Sequence, residues 1–176
     1  MKVLVAYGSH LGSTAAIAER IGSVLRDAGL EVTVHAAAVV ESEPATRDFD
    51  AFVVGGGTYG GRWHPDAVAF IRQHAEVLVS KPVWLFSSGP VGSTPAAEAH
   101  EPAEITELAP LVGARDHAVF AGAFDRGTVD GSELGRLERF VARRFMPEGD
   151  WREWPKIDGW ARGIALELQP SAIGAL

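Results

Sequence analysis

The chain has no cysteine among its 176 residues. That absence excludes disulfides, thiolate-held iron–sulfur clusters, cysteine zinc sites and a catalytic thiol in one step. Redox chemistry, if present, must be carried by a bound cofactor. A basic surplus is missing too: 16 Lys+Arg face 23 Asp+Glu, giving a formal charge of −7 and a pI of about 5.3. Non-specific nucleic-acid binding needs a dominant basic surface, so no nucleic-acid partner is expected. No apolar run approaches the ~20 residues of a membrane span. Met1-Lys2 leads directly into a strand-like run with no room for a signal peptide, so a cytoplasmic location is expected. The G-x-x-x-x-G-K loop of nucleotide triphosphatases and the G-x-S-x-G elbow of hydrolases are both absent. Six histidines, at 10, 35, 64, 74, 100 and 117, show no H-x-x-x-H spacing, so no metal site is expected.

What is present is an ordinary globular composition, 47% hydrophobic and 22% charged. One domain over 1–170 is expected, with extra sequence inserted at about 126–153 and a loose tail at 171–176, beginning near Pro170. Short apolar runs alternate with helical periods. Val3–Tyr7, Val32–Val34, Phe52–Val54, Val83–Phe86 and His117–Phe124 read as five strands. Ile17, Ile21, Val24 and Leu25 form one helical stripe, and Gly29 suits a helix end. Pro65-Asp66 can open a helix carrying Val68, Ile71 and Ala75. Ile105, Leu108, Leu111 and Val112 mark another, and Ile157, Trp160, Ile164 and Leu168 the last. Trp151, Trp154 and Trp160 are expected to pack around it. Buried strands separated by helices imply an α/β fold with a parallel sheet covered on both faces.

Ligands of such sheets bind beyond the carboxyl ends of the strands. Three loops at those ends are small and polar. Ser9-His10-Leu11-Gly12-Ser13-Thr14 follows the first strand and offers hydroxyls and a helix N-terminus but no Lys or Arg, a neutral setting that can bind phosphate through amides. An ordinary turn with Ser and Thr caps would look the same. Gly55 to Gly60 contains a literal G-x-G-x-x-G. It follows the third strand rather than opening a helix in the first βαβ unit, so it does not read as a dinucleotide fingerprint. It reads instead as a flexible loop presenting Tyr59 and Trp63, aromatics that can stack on a flat ligand ring or simply pack under the loop, an alternative that stays open above all for Trp63; His64 is expected as an exposed loop residue, with proton transfer at a bound ligand as the alternative. Ser87-Ser88-Gly89-Pro90-Val91-Gly92 follows the fourth strand, where Gly89 and Gly92 allow close backbone approach.

Together, S-x-x-G-S-T, G-T-Y-G and S-S-G-P-V-G resemble the phosphate loop and the two ring-clasping loops of flavodoxins, over nearly the whole chain. The resemblance implies a three-layer α/β/α fold with a five-stranded parallel sheet in the order 2-1-3-4-5, and FMN as cofactor. By position, Ser9, His10, Leu11, Gly12, Ser13 and Thr14 would hold the phosphate. Thr58, Tyr59 and Gly60 would lie on one side of the isoalloxazine, and Ser88, Gly89 and Gly92 on the other. Leu11 stands where the usual loop has Thr, so one hydroxyl is missing. A narrower resemblance is to the flavodoxin-like, menaquinone-dependent protoporphyrinogen IX dehydrogenases. It rests on Tyr59–His64, Phe70–His74, Val119–Ala123 and Asp150–Trp154, and on an insertion after the fifth strand.

Within the insertion, Leu134, Leu137, Val141 and Phe145 share a helical face, with Phe140 close by and arginines at 136, 139, 143 and 144. The expectation is a helix docked on the domain with solvated arginines; the alternative is weak peripheral contact with a membrane through 134–145. Two functions stay open. One is an oxidoreductase moving hydrogens from an organic substrate, such as a porphyrinogen, through FMN to a quinone. The other is an electron shuttle docking redox partner proteins through its acidic face. The net charge of −7 is expected to lower the flavin potential in either case.

Overall fold

The computed structural model describes residues 1–40, 46–92, 101–130 and 135–169. Leu134, most of the loop that follows Gly92, and the tail lie outside those residues. β1 (Lys2–Gly8) is followed by α1 (Ser13–Asp27), β2 (Glu31–Ala36) and β3 (Ala51–Tyr59). The chain returns as β4 (Arg62–Trp63), then forms α2 (Pro65–Gln73), the one-turn α3 (Ala75–Leu78), β5 (Val83–Ser88), α4 (Ala103–Val112) and β6 (Asp116–Phe120). β7 (Ala123–Phe124), α5 (Arg136–Phe145), β8 (Gly149–Asp150) and α6 (Trp154–Leu168) complete it.

The parallel strands run β2-β1-β3-β5-β6, with β4 antiparallel against β3. Counting the parallel strands alone, this is the expected 2-1-3-4-5. Side chains alternate across the sheet, so β1 serves two cores. Val3 and Val5 pack with Ile17, Ile21 and Leu25 of α1 and Ile157 and Ile164 of α6. Leu4 and Ala6 face Phe70 and Ile71 of α2 and Ile105 and Leu108 of α4. Arg20 of α1 grips Asp158 of α6 with two 2.6 Å hydrogen bonds, tying the two helices of one layer together.

The glycine run proves to be strand rather than flexible loop. β3 extends through Gly55–Gly57 to Tyr59 because aromatic rings take the space that Cβ atoms would need. A Cβ on Gly55 would lie 2.0 Å from Phe86 Cζ, and one on Gly56 2.5 Å from the Trp63 indole, on the opposite face. Trp63 is therefore a core residue, 3% exposed, not a ligand-facing one.

Four further expectations are corrected. The fifth strand stops at Phe120, where the Phe120 and Pro90 carbonyls accept the Gly89 and Gly122 amides, and β7 turns away to pair with β8. The Pro65 helix ends at Gln73; Ala75 belongs to the separate α3. Leu111 is 44% exposed. Finally, α5 docks through Ala142 and the neighbouring Met146 and turns Leu137, Phe140, Val141 and Phe145 outward to solvent.

Candidate functional site

The carboxyl ends of β1, β3 and β5 meet at one rim. Between β1 and α1, Gly12 takes the left-handed conformation (φ 83°), and its amide donates to Ser9 Oγ at 3.1 Å. A side chain at Gly12 would meet nothing within 4 Å, so the glycine is there for its backbone geometry. Among the described residues no side chain caps α1 at this end, and its first turn carries no acidic residue. The first-turn amides and the positive end of the helix dipole are left facing the rim.

Ser13 joins this loop to the other strand ends. Its Oγ accepts the Ala123 amide at 2.9 Å and lies 3.3 Å from Ser88 Oγ. A Cβ on Gly89 would sit 3.5 Å from Thr58 Cβ, so the loops after β3 and β5 also touch. Leu11, Ser13, Thr14, Thr58, Tyr59, Ser88 and Gly89 line a single cleft, which at about 60 Å³ holds little more than water. Ser9 and Gly12 close the loop beside it. Gly60 (φ 57°) makes the hairpin turn with open space around it, and Gly92 packs toward Pro147 of the insertion. The cleft also recruits Pro90, Val91, Gly122, Ala123 and Met146. The Gly122-Ala123 pair was legible in principle, since it follows the strand beside β5; Met146 was not, because only the fold brings the insertion here.

Tyr59 reaches into the first loop. Its phenol oxygen accepts the His10 amide at 3.1 Å. Burial pushes the phenol pKa up, while the His10 and Leu11 amides and the Ser9 hydroxyl act in the opposite sense. The His10 ring lies 4.8 Å from the Tyr59 ring and 4.0 Å from that of His64.

His64 is not an exposed loop residue: it is 2% exposed and caps α2, its Nδ1 accepting the Asp66 amide at 3.2 Å. That bond leaves the His64 proton on Nε2, which donates across 3.1 Å to His10 Nδ1. Burial first, then His10, pushes His64 down to about 4, against the opposing pull of Asp66. Folding thus favours neutral His64. Its stabilisation is complete above the unfolded value near 6.5 and is lost as pH falls toward 4. In urea unfolding, acidification from about pH 7.5 to about pH 4.5 should remove about 2.5 kcal/mol through this residue. His64→Asn should be less stable at neutral pH and show a correspondingly shallower acid dependence; an unchanged dependence would refute the assignment.

Behind the third loop, Ser87 Oγ lies 2.9 Å from His117 Nε2, and His117 Nδ1 lies 2.7 Å from Glu101 Oε1. The order looks like a hydrolytic triad, but Ser87 is 1% exposed and sits within a strand. It serves to fasten Glu101, just ahead of α4, to the sheet. Burial lowers the His117 pKa, and Glu101 opposes that shift.

The donor set at the rim is neutral, rich in amides and hydroxyls, and placed at an uncapped helix N-terminus, which suits a phosphate ester. The flavodoxin-domain family matches residues 4–150. Protoporphyrinogen IX dehydrogenase [quinone] of Escherichia coli (strain K12) is 30% identical over 95 residues, 54% of this chain and 52% of that protein. The chain therefore matches about half the length of that relative. Among solved structures, oxidised Flavodoxin 2 from Bacillus cereus superposes with a TM-score of 0.62 at 20% identity, covering 96% of this chain and 100% of that one. The flavodoxin of Streptococcus pneumoniae TIGR4 gives a TM-score of 0.59 at 17% identity, covering 96% and 100%. The fold, the loop chemistry and the family match converge: this chain belongs to the flavodoxin-domain family, with FMN as its cofactor.

Proposed function

We propose that the chain is an FMN-dependent oxidoreductase that takes hydrogens from an organic substrate, with protoporphyrinogen IX as the specific candidate, and passes them to a quinone. FMN, when bound, supplies the hydride and electron chemistry. The chain's own residues bind and orient it. Ser9, Gly12, Ser13, Thr14 and the amides of His10 and Leu11 hold the phosphate. Thr58, Tyr59 and Gly60 would meet the ring from one loop, and Ser88, Gly89 and Gly92 from another. The unit spans 1–170, with 126–153 as its insertion.

The observation that carries the redox reading is the convergence of three loops on one neutral cleft at the uncapped end of α1. The specific substrate is supported by the similarity to protoporphyrinogen IX dehydrogenase. A quinone acceptor is supported by α5. Leu137, Phe140 and Phe145 are 74%, 62% and 69% exposed on a helix bearing Arg136, Arg139, Arg143 and Arg144. An outward apolar face with arginines beside it suits the surface of an anionic bilayer. Among the described residues no helix is long and apolar enough to cross a membrane.

The net charge of −7 favours a second reading, an electron shuttle docking basic redox proteins. Anaerobic assay of the FMN-loaded protein separates the two. Turnover of protoporphyrinogen with a menaquinone analogue, faster in anionic than in neutral vesicles, is the expected result. No turnover, together with rapid reduction by a flavodoxin reductase, establishes the shuttle instead.

A further inference from the structure

Leu11 stands where the resembled phosphate loop has Thr, and its side chain does something other than a hydroxyl could. Phe124, Val129 and Ala142 form a third core, small and separate from the two that cover the sheet, and Leu11, Val91 and Met146 pack against it. Val129, Ala142 and Met146 come from the insertion, and Phe124 from β7 at its entrance. Leu11 comes from the first cofactor loop and Val91 from the third. A leucine of the phosphate loop is thus part of the core of the insertion.

We propose that Leu11 is a positioning residue that fastens the phosphate loop to the insertion, so that docking of α5 and binding of a phosphate ester at the start of α1 are thermodynamically coupled.

Two ion pairs of the insertion close within it: Arg143 with Asp130, and Arg126 with Glu148 at 3.8 Å. They hold its shape without holding it to the rim. The links to the rim run through the cofactor loops. Ser13 Oγ accepts the Ala123 amide at 2.9 Å. A Cβ on Gly92 would lie 3.2 Å from Pro147 Cγ, and one on Gly122 3.2 Å from Val91 Cγ1, so the third loop also abuts the insertion and its entrance. Leu11 directly precedes Gly12, the left-handed turn at the start of α1, so where Leu11 is held sets where the Gly12 and Ser13 amides point. Undocking α5 strips the apolar cover from Leu11 and Val91 together and loosens both loops at once. Linkage makes the effect mutual: a docked insertion tightens phosphate-ester binding by the factor with which that binding favours docking.

The coupling rests on the FMN reading, and two readouts keep their failures apart. α5 carries Arg136, Arg139, Arg143 and Arg144, so trypsin reports its opening and mass spectrometry locates the cut. Flavin fluorescence reports binding. Saturating FMN should slow cleavage within α5 of the wild-type protein by about tenfold, and riboflavin, which lacks the phosphate, by less. Leu11→Thr supplies the hydroxyl and removes the apolar anchor. It should speed cleavage of the FMN-free protein by about tenfold and shrink the protection by FMN. Leu11→Met, which keeps an apolar side chain of similar volume, should behave as wild type. Tighter FMN binding by Leu11→Thr with unchanged cleavage overturns the coupling and makes position 11 a plain phosphate contact. Quenching of FMN by the wild-type protein with no change in α5 cleavage overturns it too, and leaves the FMN reading standing. Unquenched FMN removes the FMN reading and the coupling with it.

Should Leu11→Thr fail to fold, the wild-type cleavage ratio still decides the matter, and Ala142→Asp approaches it from the other side. Ala142 is 4% exposed on the docked side of α5, so a carboxylate there holds the insertion away from the rim without touching the phosphate loop. FMN affinity should fall by about tenfold, and riboflavin affinity by less. Unchanged FMN affinity in a variant whose α5 is cleaved freely contradicts the reciprocity and overturns the coupling.

Discussion

Gly12→Asp should abolish flavin retention while leaving the protein folded. Gly12 is left-handed (φ 83°) with open space around it, so an added side chain meets no steric obstacle. Asp tolerates this conformation better than most residues, and an acidic group at a helix N-terminus is favourable in itself. What the substitution changes is charge, at the mouth of a subsite with no Lys or Arg in its loop to offset it. Two unit charges 4 Å apart at an effective dielectric of 20 repel by about 4 kcal/mol. The phosphate dianion increases that figure, and distance and salt reduce it. A net loss of about 3 kcal/mol, or about 100-fold in affinity, is expected. Gly12→Asn, with similar shape and no charge, should stay within about tenfold of wild type. Flavin titration of the two variants, with circular dichroism to confirm the fold, gives the comparison. Equal behaviour of Asp and Asn would show that the phosphate does not sit at this loop.

Gly55→Ala should produce the largest loss of stability from a single methyl group. The new Cβ would fall 2.0 Å from Phe86 Cζ and 2.2 Å from Cε1, inside a core where Phe86 is fully buried. Neither partner can yield easily: Gly55 pairs with Tyr7 and Phe86 across adjacent parallel ladders, and the ring is wedged between β3 and the Phe120–Trp160 cluster. Overpacking of this kind costs about 3 kcal/mol, a fall in Tm on the order of 6–12 °C for a chain of this length. Shrinking the ring should relieve the clash. Phe86→Leu alone leaves a cavity, but combined with Gly55→Ala the pair should be more stable than the sum of the two changes. Strict additivity in a thermal-unfolding cycle would contradict the packing account.

The same two glycines show how far the sequence could be read. The strands and the three converging loops followed from short apolar runs ending in Gly and Ser, because strands buried on both faces leave that pattern, whereas the strand order came only from the resemblance to flavodoxins. The G-x-G-x-x-G string was rightly set aside as a nucleotide fingerprint, but its real role was hidden. A glycine that makes room for an aromatic ring 31 residues later in sequence, Gly55 for Phe86, carries no local signal. The burial of His64 is hidden for a related reason: a histidine ahead of Pro-Asp reads as a loop residue, and only the fold shows it capping α2 and bonding His10. The helical face in the insertion was legible from spacing, whereas its direction was not. An amphipathic stripe states which residues lie together and leaves open whether protein or solvent covers them. Tyr59 was picked out as a ligand-side residue, but its reach back to the first loop depends on the β3–β4 hairpin, which the glycine-rich composition disguised.

The central claim is that amides and hydroxyls from three strand ends form a neutral cradle for FMN at the start of α1. Titration of the purified protein into FMN, followed by flavin fluorescence, tests it most directly. The account predicts quenching that saturates at one FMN per chain and a marked loss of affinity for riboflavin, which lacks the phosphate. Unquenched fluorescence at a large excess of protein, or equal affinity for the two flavins, would contradict it.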